Sequence, residues 1–250
     1  MTMMQRAALC LCGRGASCRV IAHRGYSSAF PENTLEAYEQ AIALGADFVE
    51  IDLRETRDGR IACHHDATTG GTAIASLTVP ELAERGIVEL AAVLPKLFDR
   101  VGLVFDLKLP TIDLAAAALA LLSRNAMLPQ TVIGVRSLEQ AAYVRATAPD
   151  SAMLGFLRDA ASIPEFFALG GDIARLWEDD VDPDRLANIR RDGHPVWVTA
   201  GRTPDGARPG DIDPPRLRRL FECDVDGILV NDPAQAIRMR AALERPMAGA

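Results

Sequence analysis

No apolar run in the 250 residues approaches the ~18–20 needed to cross a bilayer. A basic excess is also missing: 27 Lys and Arg face 34 Asp and Glu, a formal charge of −7. That balance argues against a nucleic-acid binder, which shows a basic patch or stripe, but permits a small anionic substrate, because a local field can oppose the net charge. The five cysteines lack pairing. Cys10, Cys12 and Cys18 crowd the N-terminus, and Cys63 and Cys223 stand alone, so neither a disulfide framework nor a CxxC zinc site emerges. Reduced thiols in a cytoplasmic compartment are the expectation. The apolar run Ala7–Cys12, with only Arg6 before it, is short for a signal-peptide core, and residues 1–18 are expected to be a disordered extension. Histidine is scarce, at four residues, and three of them (His23, His64, His65) fall within one short stretch.

What is present suits a soluble α/β protein. Hydrophobic residues make up 49% and charged residues 24%, enough to bury a sizeable core. Short apolar runs alternate with helical patterns. Strands are expected at Arg19–Ala22, Asp47–Leu53, Ile61–His65, Gly102–Leu107, Thr131–Val135, Ala152–Phe156, Ile173–Trp177, Pro195–Thr199 and Asp226–Val230. Helices are expected at Thr34–Leu44, Ile112–Asn125, Leu138–Ala148, Pro183–Arg191, Pro214–Cys223 and Ala234–Leu243. The second and third strands are joined through Glu55–Arg60, too short for a helical crossover, so they must form an antiparallel hairpin. Without the return strand, eight parallel βα units remain: a (β/α)8 TIM barrel, expected as one domain over residues 19–245 with a short lid insertion near 67–95. A doubly wound sheet is the alternative, and it lacks its glycine-rich fingerprint after the first strand.

The hairpin carries a geometric expectation. With Asp58-Gly59 as a two-residue turn, Arg57 faces Arg60 and Asp52 faces His65. Glu50 and Asp52 share one face of their strand, and His23 ends the first strand, where barrel enzymes place catalytic groups. Two carboxylates buried in Phe48-Val49-Glu50-Ile51-Asp52-Leu53 need a counter-charge. Oxygen ligands favour Mg²⁺ or Ca²⁺, with Asp106 on the next barrel strand as a third candidate ligand. The plainer alternative is a structural network with Arg54 or Lys108. Two imidazoles, His23 and His65, suit the acid and base of phosphodiester cleavage, and Arg24 and Lys108 could hold a phosphate. His64 should face the other way, as a structural group, and His194 should lie on the surface at the far end. Trp177 and Trp197 could each pack on a substrate or belong to the core.

His23-Arg24-Gly25, Pro31-Glu32-Asn33-Thr34, Gly45-Ala46-Asp47-x-x-Glu50-x-Asp52, Thr56-x-Asp58-Gly59 and His65-Asp66 stand in the order and spacing of the glycerophosphodiester phosphodiesterase family. Asp106-Leu107-Lys108, Val196-Trp197-Val198-Thr199 and Asp226–Pro233 fit later family segments more loosely, and the resemblance spans residues 19–240. It implies a TIM barrel that uses a divalent cation to hydrolyse glycerophosphodiesters, small-molecule substrates, to glycerol 3-phosphate and an alcohol. It further implies His23 and His65 as the acid/base pair, Glu50, Asp52 and Asp106 as metal ligands, and Arg24, Lys108 and Trp197 at the substrate, with Asn33 or Thr34 capping helix one. Two features depart from the family. Asp106 stands where Glu is usual, a replacement that the similar phospholipase-D-type toxins also show. The lid lacks the usual Leu-x-Arg-Thr-Thr. A lysophospholipid or sugar phosphodiester substrate, or a barrel that binds phosphodiesters without turning them over, are the alternatives.

Overall fold

The computed structural model describes residues 17–201 and 207–244. The expected extension lies almost wholly outside the described residues. Eleven strands are β1 Arg19–Ala22, β2 Phe48–Glu55, β3 Ile61–Cys63, β4 Thr68–Thr69, β5 Thr72–Ala73, β6 Gly102–Leu107, β7 Thr131–Val135, β8 Ala152–Gly155, β9 Ile173–Trp177, β10 Val196–Thr199 and β11 Gly227–Val230. Helices are α1 Leu35–Ala43, α2 Val79–Ala83, α3 Leu90–Leu97, α4 Ile112–Arg124, α5 Leu138–Thr147, α6 Ile163–Ala168, α7 Pro183–Arg190, α8 Pro214–Glu222 and α9 Pro233–Glu244. The sheet runs β1-β11-β10-β9-β8-β7-β6-β2, and a β1–β2 pairing closes it into an eight-stranded parallel barrel. Among the described residues no helix is long and apolar enough to cross a membrane. Cys63 and Cys223 are free thiols.

Parallel strands covered by helices bury both faces, which is why β1, β7, β8, β10 and β11 read as apolar runs. One cluster fills the barrel interior: Ile21, Phe48, Val104, Val132, Leu154, Ile173, Trp197 and Leu229 among others. Larger clusters lie between the strands and the helices. Helix α3 is absent from the expected elements. Pro95 interrupts its pattern, yet Leu90, Val93, Leu94 and Leu97 are buried against the outer face of the barrel. Tertiary burial here outweighs a local breaker. Helix α3 is therefore a barrel helix, and the insertion ends before it. The insertion has its own small core of Ile74, Leu77, Leu82 and Ile87 on Ala62.

The hairpin differs from expectation by one residue. Leu53 pairs with Cys63 and Arg54 with Ala62. Thr56 donates its N–H to the Arg60 carbonyl (2.9 Å), so three residues, not two, form the loop. Gly59 sits at φ +68° after a Thr56–Gly59 turn, the left-handed position that closes a three-residue hairpin. Asp52 is therefore joined to His64, whose N–H donates to the Asp52 carbonyl, rather than to His65. Pairing stops at Cys63. Arg54 grips the His65 carbonyl through Nε (2.8 Å) and Nη2 (2.5 Å) as the chain leaves the sheet.

Trp197, placed at the substrate by the resemblance, takes the core alternative instead. Its ring is fully buried inside the barrel, 5.1 Å from the Phe48 ring and against Gly227, so it does not line a substrate site. Replacing Trp197 by Ala should cost about 3–5 kcal/mol of stability, the range for deleting a large buried ring. Urea unfolding checks this, and a loss typical of surface positions would contradict the placement.

Candidate active site

Side chains alternate along a strand, so Phe48, Glu50 and Asp52 share the inward face of β2, as do Val104 and Asp106 on β6. Four further polar residues are each the first beyond a strand's C-terminal end: His23 after β1, Lys108 after β6, Arg136 after β7 and Asn231 after β11. All four continue the inward parity of Ile21, Val104, Val132 and Leu229. The apolar interior thus gives way to charge at the C-terminal mouth.

Glu50, Asp52 and Asp106 are all buried, and one ligand oxygen from each lies within 4.8 Å of the others. Cations neutralise them unevenly. Lys108 Nζ lies 2.6 Å from both Asp52 Oδ1 and Asp106 Oδ2. Arg136 donates Nε to Asp106 Oδ1 (2.8 Å) and Nη2 to Oδ2 (2.5 Å). Arg24 Nε is 3.1 Å from Asp52 Oδ2, a close ion contact outside hydrogen-bond alignment. Burial alone would raise the pKa of Asp52, but Lys108 and Arg24 outweigh it and hold that carboxyl well below its ordinary range. For Asp106 burial is likewise overcome, by Lys108 and Arg136. Glu50 goes the other way: burial and the neighbouring Asp52 raise it well above the usual carboxylate value. Three oxygen donors, dry and already ionised or ready to ionise beside a cation, fit a hard divalent ion.

The first βα loop completes this wall. Arg24 (φ +58°) and Gly25 (φ +80°) both turn left-handed, which aims the Arg24 N–H at Glu50 Oε2 (2.8 Å). A Cβ on Gly25 would meet the Ala37 carbonyl carbon at 2.7 Å, so only glycine lets α1 approach this closely. Glu32 accepts from Arg24 Nη1 through both oxygens, at 3.0 and 2.9 Å. Thr34, not Asn33, caps α1, accepting from the Ala37 N–H. Asn33 instead donates Nδ2 to Asp52 Oδ2 (2.8 Å) and accepts the Asp52 N–H (3.1 Å), fixing that carboxylate.

The histidines differ in their surroundings. Asn231 donates Nδ2 to Asp211 Oδ1 (2.7 Å) and to the Pro209 carbonyl (3.0 Å), which leaves Oδ1 facing His23 Nδ1 at 2.7 Å. An amide oxygen only accepts, so His23 carries its hydrogen on Nδ1 and its lone pair on Nε2. Burial, then the Arg24 charge, lowers its pKa from 6.5 to about 4, against opposing contributions from Asp52 and Asn231. His65 is 37% exposed and lies 2.7 Å from the Asp66 carboxylate. Its pKa is lowered by burial and Lys108, while Asp52 and Asp66 support its charged form. Both imidazoles therefore feel Asp52, although the hairpin register differs from expectation.

The structure gathers His23, Arg24, Glu50, Asp52, Asp106 and Lys108 at one mouth and brings His65 to its rim. Arg54, one candidate counter-ion, is turned away to the His65 backbone. His194 is half-buried, stacked 3.6 Å from the Phe167 ring, not a plain surface group. The sequence reading gave no role to Arg136, Asn231 or the Asn33 amide at Asp52. For Arg136 and Asn231 a signal existed: each is the inward-parity residue just past a strand.

A parallel barrel with acids, imidazoles and cations at its C-terminal mouth belongs to the TIM-barrel class built to hold a hard cation and a small anion together. Residues 23–111 match the glycerophosphoryl diester phosphodiesterase family. Over 70 residues it is 47% identical to "Probable glycerophosphodiester phosphodiesterase 1" of Mycobacterium tuberculosis, a stretch covering 26% of each chain. The aligned part thus spans about a quarter of that relative's length. Similarity to the Bacillus subtilis protein YqiK extends over 87% of this chain and 96% of the other, at 29% identity. The structure of an Oleispira antarctica phosphodiesterase, solved with the product sn-glycerol-3-phosphate, superposes with a TM-score of 0.74 over 89% of this chain and 96% of that one, at 19% identity. That likeness establishes the shared fold.

The His23 environment sets a stability prediction. Because its folded pKa lies below the unfolded value, the unfolded chain binds the extra proton between about pH 6.5 and about 4, and stability falls as pH drops through that window. In metal-free buffer, urea midpoints measured across it should fall less steeply for His23→Leu than for the parent. Parallel slopes would contradict the burial of a neutral imidazole.

Proposed function

We propose that this chain is a metal-dependent phosphodiesterase that hydrolyses glycerophosphodiesters to glycerol 3-phosphate and an alcohol. The observation that carries this reading is the convergence of His23, Arg24, Lys108 and three buried carboxylates at one barrel mouth, nearly all within the residues that match the family. The product complex of the Oleispira antarctica neighbour supports a phosphate ester of glycerol as the ligand class. Glu50, Asp52 and Asp106 would hold one divalent cation, Mg²⁺ or Ca²⁺, which supplies charge stabilisation at the phosphate when bound.

The residues of the chain account for the remaining steps. Arg24 and Lys108 orient the phosphodiester and offset its charge. His23, neutral and held as the Nδ1–H tautomer by Asn231, accepts at Nε2 the proton of the attacking hydroxyl, from water or from the glycerol 2-position. A new P–O bond forms as the bond to the departing alcohol breaks; attack by water gives glycerol 3-phosphate directly, whereas attack by the glycerol 2-hydroxyl gives a cyclic phosphate that water must then open. His65, supported by Asp66 and open to solvent, gives its proton to that leaving oxygen. Burial, which lowers the His23 pKa to about 4, keeps this base unprotonated below pH 6. The free thiols of Cys63 and Cys223 support a reducing, cytoplasmic setting.

Glycerophosphocholine hydrolysis should vanish with EDTA and return with Mg²⁺ or Ca²⁺. His23→Ala and His65→Ala should each lower kcat by roughly 10²–10⁴, the usual contribution of an acid or base. Unchanged hydrolysis by both variants in metal-replete buffer would overturn the assignment. Clear preference for lysophosphatidylcholine would transfer the same chemistry to a long-chain substrate.

A further inference from the structure

Arg136 lies outside the residues that match the family, yet it is built rigidly into the mouth. Its backbone N–H donates to Gln140 Oε1 at 2.9 Å. Gln140 is fully buried and donates Nε2 to the Leu109 (2.8 Å) and Thr111 (2.9 Å) carbonyls, tying the loop after β7 to the loop after β6. The guanidinium is then fixed from two sides. Asp106 takes Nε and one N–H of Nη2, and the Phe156 ring lies 5.7 Å from the guanidinium carbon. An arginine carries five N–H donors, so the three not used by Asp106 belong to the edge turned away from it. The side chain is 29% exposed, and no hydrogen bond to those three donors is found among the described residues.

We propose that Arg136 is a third phosphate-binding cation of this site, beside Arg24 and Lys108, with Asp106 serving as its anchor. The inference rests on the phosphodiesterase reading and deepens it. Two observations carry it. First, an ionised carboxylate offers about four lone-pair positions, and Asp106 already commits three, two to Arg136 and one to Lys108. Asp106 thus has one position left, on Oδ1, and any cation it holds is bound through a single oxygen. Secondly, Arg24, Lys108 and Arg136 face four carboxylates, Glu32, Glu50, Asp52 and Asp106. A divalent ion then leaves the mouth with an excess of one positive charge, which an oxygen-rich anion offsets.

Calorimetric titration of the full chain separates this role from a purely structural one. Glycerol 3-phosphate in metal-replete buffer, and Mg²⁺ or Ca²⁺ alone, are titrated into the parent, Arg136→Lys and Arg136→Met. Arg136→Met should weaken glycerol 3-phosphate binding roughly ten- to a hundredfold and leave metal affinity equal or tighter, since a cation beside three carboxylates has gone. Arg136→Lys keeps the charge and the pairing with Asp106 but loses the fork, so it should lie between. It serves as the folded arm should Arg136→Met fail to fold. Unchanged glycerol 3-phosphate affinity with weakened metal binding in either variant would reduce Arg136 to a support for Asp106 and overturn the proposal. Binding needs no turnover, so a parent protein that binds glycerol 3-phosphate but hydrolyses nothing would sink the phosphodiesterase reading and leave this one standing.

Discussion

Three carboxylates buried in one barrel mouth would repel one another and tend to protonate unless cations were built in with them. Here the cations come from three places: Arg24 from the loop after β1, Lys108 from the end of β6 and Arg136 from the end of β7. Their positions dictate much of the local backbone. The left-handed pair Arg24-Gly25 exists so that a main-chain N–H can reach Glu50, and the Gln140 bridge holds the turn that presents Arg136. The neutralisation remains incomplete at Glu50, whose raised pKa marks the place where one more positive charge is wanted. Electrostatics, more than shape, is what the mouth is made to satisfy.

The same field gives the two histidines different surroundings, which the proposed mechanism would use. His23 lies under the cations and against a neutral amide, so it stays uncharged and can take a proton. His65 sits at the rim with a carboxylate partner and solvent access, so it can be recharged between turnovers. In the proposed mechanism an acid and a base of the same residue type would be distinguished by surroundings alone, the pattern that separates paired groups in many active sites. The Asn231 amide links the base to the loop Pro209–Asp211, so His23 is oriented by the last strand and by the loop before α8 together.

The barrel was legible because its period was legible: apolar runs alternating with helices, and one connection too short to cross over. Glu50, Asp52 and Asp106 stood out as acids inside apolar strands, which is costly without a purpose. The hairpin register could not be read, because a Thr56 side chain and a left-handed Gly59 favour a three-residue loop over the two-residue turn that Asp-Gly suggests. Trp197 was ambiguous for another reason. Alternation places it on the inward face but says nothing of depth, and here it lies below the polar layer, against Phe48. Helix α3 was hidden by Pro95, a local signal overridden by four buried side chains. Arg136 was missed because its partner, Asp106, is thirty residues away in sequence and meets it only when β6 and β7 pair.

The most direct test is to follow glycerophosphocholine by ³¹P NMR with the metal-replete protein. The account predicts that the diester resonance gives way to the monoester resonance of glycerol 3-phosphate, with any cyclic phosphate appearing only in passing. A diester signal that persists through many equivalents, or phosphocholine as the monoester, would contradict it.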